Sequence, residues 1–397
     1  MEANLALNVL PTRWIELGSS DSGQPHALVL HEFGPKNAKL AIHLQAGLHA
    51  DETPGCVVLF RLADRLAKLH AQERLLARIT VLPAANPIGA TQYLIGDLHC
   101  GRFDLSSGEN FNRNFPDLRP VIGKVLERSD QCGKYSAEQR FDALRVALQN
   151  ALQDWPVQSL LDKWRVELLK IASGADWVLD LHCDQEAVTH LYTAPALWQD
   201  FKPLAQLLHS QVQLLDSTAS LQHGHGAFDT ACFQPWLTAQ SGSYLPQNFK
   251  CRAATIELKG QSDVSEEQIE IDVEALLSWL KLVGALKDTI TGDGTALQAL
   301  AAVLHAVPEP LPLESVESIV AQSDGIFVPD FQLGRAVKAG QCLGRIYDLQ
   351  THHIENLCSQ HDGLAFARTR ARAVTKGLEL IKIAGRSTVR VGPLLSK

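Results

Sequence analysis

The feature that most constrains this chain of 397 residues is a buried strand followed by a turn and a helix. Residues 40–44 form an apolar run typical of a buried strand, and residues 57–66 have the apolar spacing of a helix. Pro54 suits the first helical position after an N-cap at Thr53, so the helix is predicted to begin there. His49 and Glu52 then lie in the turn at the strand's carboxyl end, where open α/β sheets bind ligands.

A histidine and a glutamate three residues apart can offer one nitrogen and one oxygen to the same ion. Catalytic zinc is commonly held by two histidines and one glutamate, with one position left for water. Alone, the pair at 49 and 52 is weak evidence, because most such pairs lie in surface turns or on helix faces. The rest of the chain has to decide between a metal site and a surface turn.

Further apolar runs predict strands at 77–83, 176–184 and 253–258. His182 falls at the carboxyl end of its strand, as His49 does, and this equivalence makes it a candidate ligand although a lone histidine there is more often structural. Glu257 is a charged residue inside an apolar run. A buried carboxylate needs a compensating group, either a catalytic partner or a structural ion pair. Lys259 and Arg252 are the candidates for such an ion pair.

The segment from 96 to 120 has little periodicity and is predicted to be a long loop. Long loops within compact domains are usually functional. Arg102, Asn112 and Arg113 give this loop the character of an anion-binding surface, although its composition suits a solvated loop equally well. A second loop, at 222–226, contains a His-x-His pair that could bind metal, and we interpret it as a surface loop.

The remaining pattern predicts a mixed, mostly parallel sheet flanked by helices. Residues 6–32 are predicted to form an antiparallel hairpin at the edge of the sheet, and a helix is expected near 201–215. Two further helices are predicted to begin at capping sequences, at Ser136 with Gln139 and at Ser265 with Gln268.

The proline-rich stretch at 307–312 marks a domain boundary. We expect one domain over residues 1–307 and a small β domain over residues 308–397, where short strands alternate with glycine turns. The eight scattered cysteines are expected to be reduced thiols, since none forms a C-x-x-C pair.

The formal net charge of −8 argues against binding to a nucleic-acid backbone. No stretch has the length and apolar character of a membrane span, and the first residues lack the features of a secretory signal. We therefore expect a cytoplasmic protein with a small-molecule substrate, no nucleic-acid partner and no membrane partner. The sequence leaves its oligomeric state open, including a homo-oligomer.

Taken together, these motifs resemble the zinc carboxypeptidase clan, and within it the succinylglutamate desuccinylase/aspartoacylase family. The resemblance covers roughly residues 35–290. It rests on four motifs in order, which are His-x-x-Glu at 49–52, Asn-Arg-Asn-Phe-Pro at 112–116, Asp-Leu-His at 180–182 and Ile-Glu at 256–257. The tail is similar to a biotinyl/lipoyl-like barrel, but the Met-Lys-Met-type hairpin with its carrier lysine is missing.

The resemblance implies a role for each matching residue. One zinc ion per chain would be held by His49, Glu52 and His182. Glu257 would be the general base, and Arg102 would polarise the scissile carbonyl.

Two further roles are implied for the loop. Asn112 and Arg113 would hold the substrate carboxylate. In carboxypeptidases an aspartate two residues before this pair orients a zinc histidine, but this chain has Asn110 there. Asn110 would do this more weakly, or else Asp104 or Asp180 would do it.

Three functions remain open at this point. The first is a zinc-dependent amidohydrolase that removes the acyl group from an N-acyl amino acid or a similar metabolite, releasing a carboxylate and a free amine. The second is a metallocarboxypeptidase that uses the same ligands. The third is a non-catalytic metal- or ligand-binding protein. The presence of all four residues, His49, Glu52, His182 and Glu257, argues against this third function.

Overall fold

The computed structural model describes residues 10–19, 23–127, 135–216, 226–242, 244–246, 248, 251–287 and 304–389. Within these residues the chain forms a large mixed sheet flanked by helices, followed by smaller antiparallel sheets. This confirms the predicted fold class. Among the helices described, none combines the length and apolar character that crossing a membrane requires.

The described strands, in chain order, are β1 (Thr12–Ser19), β2 (Pro25–Phe33), β3 (Ala41–Ala46), β4 (Arg78–Leu82), β5 (Tyr93–Leu94), β6 (Leu98–His99), β7 (Trp177–Asp184), β8 (Glu186–Ala187), β9 (His190–Thr193), β10 (Val212–Leu215), β11 (Arg252–Gly260), β12 (Leu311–Pro312), β13 (Val316–Val320), β14 (Gly325–Pro329), β15 (Arg335–Val337), β16 (Cys342–Tyr347), β17 (Ile354–Cys358), β18 (Gly363–Arg368), β19 (Ala373–Val374) and β20 (Glu379–Gly385). The described α-helices are α1 (Pro54–Ala71), α2 (Arg119–Glu127), α3 (Ala137–Gln153), α4 (Leu160–Ala172), α5 (Trp198–Leu207), α6 (Phe228–Ser241) and α7 (Glu266–Leu282).

The large sheet has the strand order β1-β2-β4-β3-β7-β11-β9-β10-β12. Its centre, β4-β3-β7-β11, is parallel. The strands β1 and β2 form the predicted antiparallel hairpin at one edge. The central strands β3 and β7 are buried almost throughout, and helix α1 packs against both while α6 packs against β7. Their carboxyl ends meet at one edge of the sheet, where His49 and His182 were predicted to lie.

Two groups of helices cover the sheet. In one group, α7 packs against α1 and α5, and in the other α2, α3, α4 and α6 pack together. The capping box predicted at Ser136 is present, because its side chain accepts from the N–H of Gln139 while the Gln139 side chain accepts from the N–H of Ser136. Ser265 caps α7 through the N–H of Gln268. Helix α1 begins at Pro54 as predicted, although Thr53 makes no capping hydrogen bond with its side chain.

One predicted helix is shorter than expected. The helix anticipated at 201–215 ends at Leu207, and the chain then forms strand β10 from Val212 to Leu215. The reason is tertiary, because β10 pairs in parallel with β9 and thereby buries Val212 and Leu214. The predicted loop at 222–226 falls almost wholly outside the described residues.

The C-terminal strands form two antiparallel sheets, β13-β20-β18-β15 and β17-β16-β14-β19. An apolar cluster that includes Phe327, Leu343 and Ile383 fills the space between them. Strand β8 pairs with β18, and β12 joins the edge of the large sheet. The C-terminal strands therefore share hydrogen bonds with the rest of the molecule. The division at residue 307 remains a prediction.

The expectation that every cysteine is reduced is wrong for one pair. Cys342 on β16 and Cys358 on β17 are joined as a disulfide, with their Cα atoms 4.0 Å apart. The pairing arises from register, since these residues stand opposite each other on neighbouring antiparallel strands. A separation of 16 residues gave no sign of it in the sequence. The cysteines described as free include three that are buried, Cys183, Cys232 and Cys251.

Candidate metal centre and active site

The turn after β3 is held against the long loop that carries Arg102. The N–H of Ala50 donates to the carbonyl of Gly101 at 2.9 Å. A Cβ at position 101 would lie 2.2 Å from the backbone nitrogen of Asp51, so this approach requires glycine. The contact brings Arg102 next to the turn, and its Nη1 donates to Glu52 Oε1 at 3.1 Å.

The structure brings His49, Glu52 and His182 together at the carboxyl ends of β3 and β7. The Nδ1 atom of His49 lies 2.9 Å from Glu52 Oε1, and the Nδ1 atom of His182 lies 2.8 Å from Glu52 Oε2. One potential ligand atom from each residue lies within 4.8 Å of the others. All three side chains are buried. The arrangement predicted from the sequence is therefore geometrically capable of holding one ion.

The other nitrogen of each imidazole has a polar partner. His49 Nε2 donates to Asn110 Oδ1 at 2.9 Å, and His182 Nε2 donates to Asp180 Oδ2 at 2.8 Å. Partners of this kind fix the orientation and tautomer of metal-binding histidines. The sequence left open whether Asn110, Asp104 or Asp180 does this. Asn110 and Asp180 each hold one ring, whereas Asp104 binds Ser106 and Ser107.

This donor set fits a metal ion. A carboxylate that faces two imidazole nitrogens requires positive charge between them, which either protons or a cation can supply. Burial favours neutral His182, but the carboxylates of Asp180 and Glu52 outweigh that effect and raise its pKa well above the usual value. Burial alone would raise the pKa of Glu52, yet His49 and His182 lower it. A divalent cation would replace these protons, so its binding would strengthen as pH rises.

Glu257 lies on β11 directly beside His182 in the register of the sheet. Within the described part of the chain, no group hydrogen bonds to its buried Oε2 atom. Burial raises the pKa of Glu257 to about 8, and the negative charge of Glu52 adds to the effect. A cation at the neighbouring centre would oppose that charge and favour the ionised carboxylate. Such a group can accept a proton near neutral pH.

Asn112 and Arg113 line a cavity that His49, Glu52 and His182 also line. Asn112 Oδ1 accepts from the N–H of Phe228 at 2.8 Å, so it also fixes the start of α6. Arg113 Nη1 donates to the carbonyl of Asn112 at 2.6 Å. Burial lowers the pKa of Arg113 to about 10, as does Arg102, while Asp229 and Asp216 act in the opposite direction. Arg113 therefore remains a cation at neutral pH.

The cavity has a volume of about 330 Å³ and contains every candidate site residue. The C-terminal strands also contribute to its wall, through Phe366, Glu379 and Lys382. Sequence reasoning missed these three residues. A signal was present for Lys382, which lies within the apolar run 380–383, just as Glu257 lies within its own apolar run. Lys382 forms an ion pair with Asp184 at the end of β7.

In chemical terms, the arrangement places a possible cation site, a carboxylate whose buried oxygen accepts no hydrogen bond within the described residues, and two arginines around one cavity. A cation held there could polarise a carbonyl or activate water. The carboxylate of Glu257 can move a proton, and Arg102 or Arg113 can hold an anion. These are the components of a hydrolytic site.

The family model for the succinylglutamate desuccinylase/aspartoacylase catalytic domain matches residues 38–283. The chain belongs to this family. Its members include hydrolases that remove acyl groups, and the matched region contains all the candidate site residues. No protein with a curated function matches this chain.

Solved structures agree on the fold over nearly the whole chain. A candidate succinylglutamate desuccinylase/aspartoacylase family protein from Shewanella amazonensis is 25% identical, with a TM-score of 0.76 and coverage of 94% of this chain and 98% of that one. A similar candidate from Shewanella frigidimarina is 23% identical, with a TM-score of 0.78 and coverage of 95% and 98%. The product-bound ectoine utilization protein from Ruegeria pomeroyi is 16% identical, with a TM-score of 0.64 and coverage of 95% and 99%.

Proposed function

We propose that this protein is a zinc-dependent deacylase that hydrolyses the amide bond of an N-acyl amino acid or a similar small metabolite. One observation carries the proposal, which is the convergence of two imidazole Nδ1 atoms and one carboxylate beside Glu257 in an arginine-lined cavity. The family membership supports hydrolysis of an acyl group.

His49, Glu52 and His182 would hold the metal. Two imidazoles and one carboxylate form a donor set typical of catalytic zinc with an open position. When bound, zinc supplies a Lewis acid and lowers the pKa of water to about 7. Asn110 and Asp180 hold the Nε2 atoms of the two rings, so that the Nδ1 atoms are left to bind the ion.

Glu257 would carry the proton through the reaction. Its carboxylate takes a proton from the attacking water, whose oxygen forms a bond to the amide carbon. Glu257 then returns this proton to the leaving nitrogen as the carbon–nitrogen bond breaks. The second proton of the water stays on the new carboxyl group and is released as that group ionises, and the amine takes up a proton. The products are therefore a carboxylate and an amine in its ammonium form, so the atoms of one amide and one water are accounted for.

The arginines would bind and stabilise charge. Arg102 lies against the metal centre, where its guanidinium can stabilise the developing negative charge on the carbonyl oxygen. Arg113 and Asn112 would hold the carboxylate of the substrate, since a planar guanidinium pairs with a carboxylate through two hydrogen bonds.

A carboxypeptidase would use the same ligands, but the cavity favours a smaller substrate. The large sheet with its helices and the C-terminal strands line it together, through residues that include Phe233 on α6, Phe366 on β18 and Lys382 on β20. Walls from both regions leave less room for an extended peptide than for a single N-acyl amino acid. We propose a small-molecule substrate for this reason.

The decisive experiment is a screen of N-acyl amino acids, and of short peptides with a free C-terminus, against zinc-loaded protein. The readout is the amount of free amine released. We expect turnover of N-acyl amino acids that is lost when zinc is removed and regained on its addition. A His49→Ala variant serves as the control for adventitious zinc. Preferred cleavage of peptides would favour a carboxypeptidase, and ligand binding without any turnover would favour a non-catalytic protein.

A further inference from the structure

A line of buried polar side chains extends from the candidate metal centre into the interior of the large sheet. It begins at His182 and Asp180 on β7, continues through Gln45 and His43 on β3, and ends at Thr80 on β4. Beyond the His182–Asp180 bond, Gln45 Nε2 lies 3.1 Å from Asp180 Oδ1, Gln45 Oε1 lies 3.2 Å from His43 Nε2, and His43 Nδ1 lies 2.9 Å from Thr80 Oγ1. No member is more than 8% exposed.

The register of the sheet creates this line. Gln45 stands opposite Asp180, and His43 stands opposite Thr80. His43 and Gln45 are two residues apart on one strand, so their side chains share a face. The interior of a parallel sheet is normally apolar, and buried polar groups are costly unless each finds a partner. Here Gln45 and His43 each have a partner on the neighbouring strand, and they also contact each other within β3.

The hydrogen bonds have a single direction. Gln45 presents its amide nitrogen to Asp180 Oδ1 and its oxygen to His43 Nε2. His43 then donates from Nε2, and its Nδ1 accepts from the hydroxyl of Thr80, for which the carbonyl of Ile42 is more distant at 3.4 Å. Burial lowers the pKa of His43 to about 4, so the ring is neutral and has one N–H to donate. Each donor in the line therefore points towards Asp180.

We propose that Gln45, His43 and Thr80 are positioning residues that hold Asp180 and, through it, orient His182 towards the metal. This inference rests on the metal centre of the proposed function. Gln45 fixes Oδ1 of Asp180, which leaves Oδ2 directed at His182 Nε2. Without Gln45, the carboxylate can rotate and the imidazole loses its fixed orientation. Changing the partners of metal-binding histidines typically lowers metal affinity by about 10–100-fold.

The main test is the affinity for zinc and for cobalt(II), measured by competition with a chelator in the full-length protein. Gln45→Met keeps the volume of the side chain and removes both hydrogen bonds. We expect its affinity to fall by about tenfold, at the lower end of the range for such partners. The matched control is Gln213→Met on β10, which removes another fully buried glutamine, whose amide nitrogen donates to the carbonyl of Ser210. The control should bind metal as the wild type does.

A double-mutant cycle separates positioning from general stability. If Gln45 acts through Asp180, then Gln45→Met should cost little additional affinity in an Asp180→Asn background. Full additivity of the two losses would overturn the inference. If Gln45→Met fails to fold, Thr80→Val takes its place, because it removes one hydroxyl with almost no change of shape. We expect its affinity for zinc to fall by a smaller factor than that expected for Gln45→Met.

Nuclear magnetic resonance tests the direction of the line without any mutation. We expect the ring proton of His43 to lie on Nε2 in the wild-type protein, and a proton on Nδ1 would overturn the inference.

The metal-binding measurements also separate this inference from the proposed function. A wild-type protein that binds no metal would remove the metal centre and this inference with it. A wild-type protein that binds metal no better than Gln45→Met would remove this inference alone.

Discussion

At the scale of single residues, Glu257 is the side chain on which the proposed chemistry depends. The sequence left open a structural ion pair with Lys259 or Arg252. In the structure Lys259 donates to Gln268, and Arg252 pairs with Asp200. Glu257 instead borders the cavity next to His182, which is the position that a general base requires.

Replacing Glu257 with glutamine should abolish most activity while leaving the fold intact. Glu257→Gln keeps the shape of the side chain but removes the proton acceptor, so we expect at least a ~10²-fold loss in kcat. Metal content should stay at one zinc per chain. Glu317→Gln, which changes another buried carboxylate, is the control. Normal turnover by Glu257→Gln would make Glu257 a structural residue.

The same variant should alter the pH dependence of stability in the metal-free protein. Burial raises the pKa of Glu257 from 4.5 to about 8, so folding favours its protonated form. Its stabilising contribution is complete below the unfolded pKa and is lost as pH rises through the folded pKa. We therefore expect the Tm of Glu257→Gln to increase relative to that of the wild type as the pH rises from 5 to 8. A constant difference in Tm would show that Glu257 is not perturbed in this way.

Arg113 should be more sensitive to a conservative change than an arginine outside the cavity. Arg113→Lys removes the planar fork that can hold a carboxylate through two hydrogen bonds, and we expect about a tenfold or larger loss in kcat/KM on the best substrate. Arg119→Lys is the control, since Arg119 pairs with Asp117. Equal kinetics for the two variants would remove Arg113 from the substrate site.

At the scale of elements, β20 links the C-terminal sheets to the chemistry. Its Lys382 pairs with Asp184 at the end of β7 and lies among the cavity residues with Glu257. The charge of Lys382 lowers the pKa of Glu257, in opposition to the larger effect of burial. The C-terminal strands thus provide part of the wall and a cation beside the proposed base.

Removing that cation should weaken both the junction and the catalysis. Lys382→Met leaves Asp184 without its partner and should cost about 1–3 kcal/mol in stability. The pKa of Glu257 should rise, so the ascending limb of the pH–rate profile should move to higher pH. Lys338→Met, which changes an exposed lysine directly after β15, should alter neither the stability nor the pH–rate profile. An unchanged pH profile would restrict Lys382 to a structural role.

At the scale of the whole molecule, an apolar cluster joins the two regions. It combines Val188, which lies between β8 and β9, and two residues of β10, Val212 and Leu214, with Val316 and Phe366 from the C-terminal strands. The pairing of β8 with β18 adds backbone hydrogen bonds to this junction. We expect the two regions to unfold together, because the cavity and its supporting residues belong to both.

Zinc should therefore stabilise the whole chain. A ligand that binds only the folded state at a hundred times its Kd adds about 2.7 kcal/mol to the free energy of unfolding. We expect zinc to raise the Tm of metal-free protein by several degrees in a single transition. His49→Ala should lose this shift, and an equal shift in that variant would place the zinc elsewhere.

The sequence by itself determined the elements that carry local signals. Apolar runs and turn residues located the central strands, and the spacing of His49 and Glu52 located the candidate metal-binding turn. The resemblance to the family implied roles for Arg102, Asn112 and Arg113, which remain predictions. These features were accessible because a strand, a cap or a short motif is encoded within a few neighbouring residues.

Only the tertiary structure decided which distant residues meet. The pairing of Asp180 with Gln45, the entry of Lys382 into the cavity and the disulfide between Cys342 and Cys358 all depend on strand register. The ending of α5 before β10 was likewise set by pairing with β9. Register is fixed by the burial of the whole sheet, which no local segment of the chain encodes.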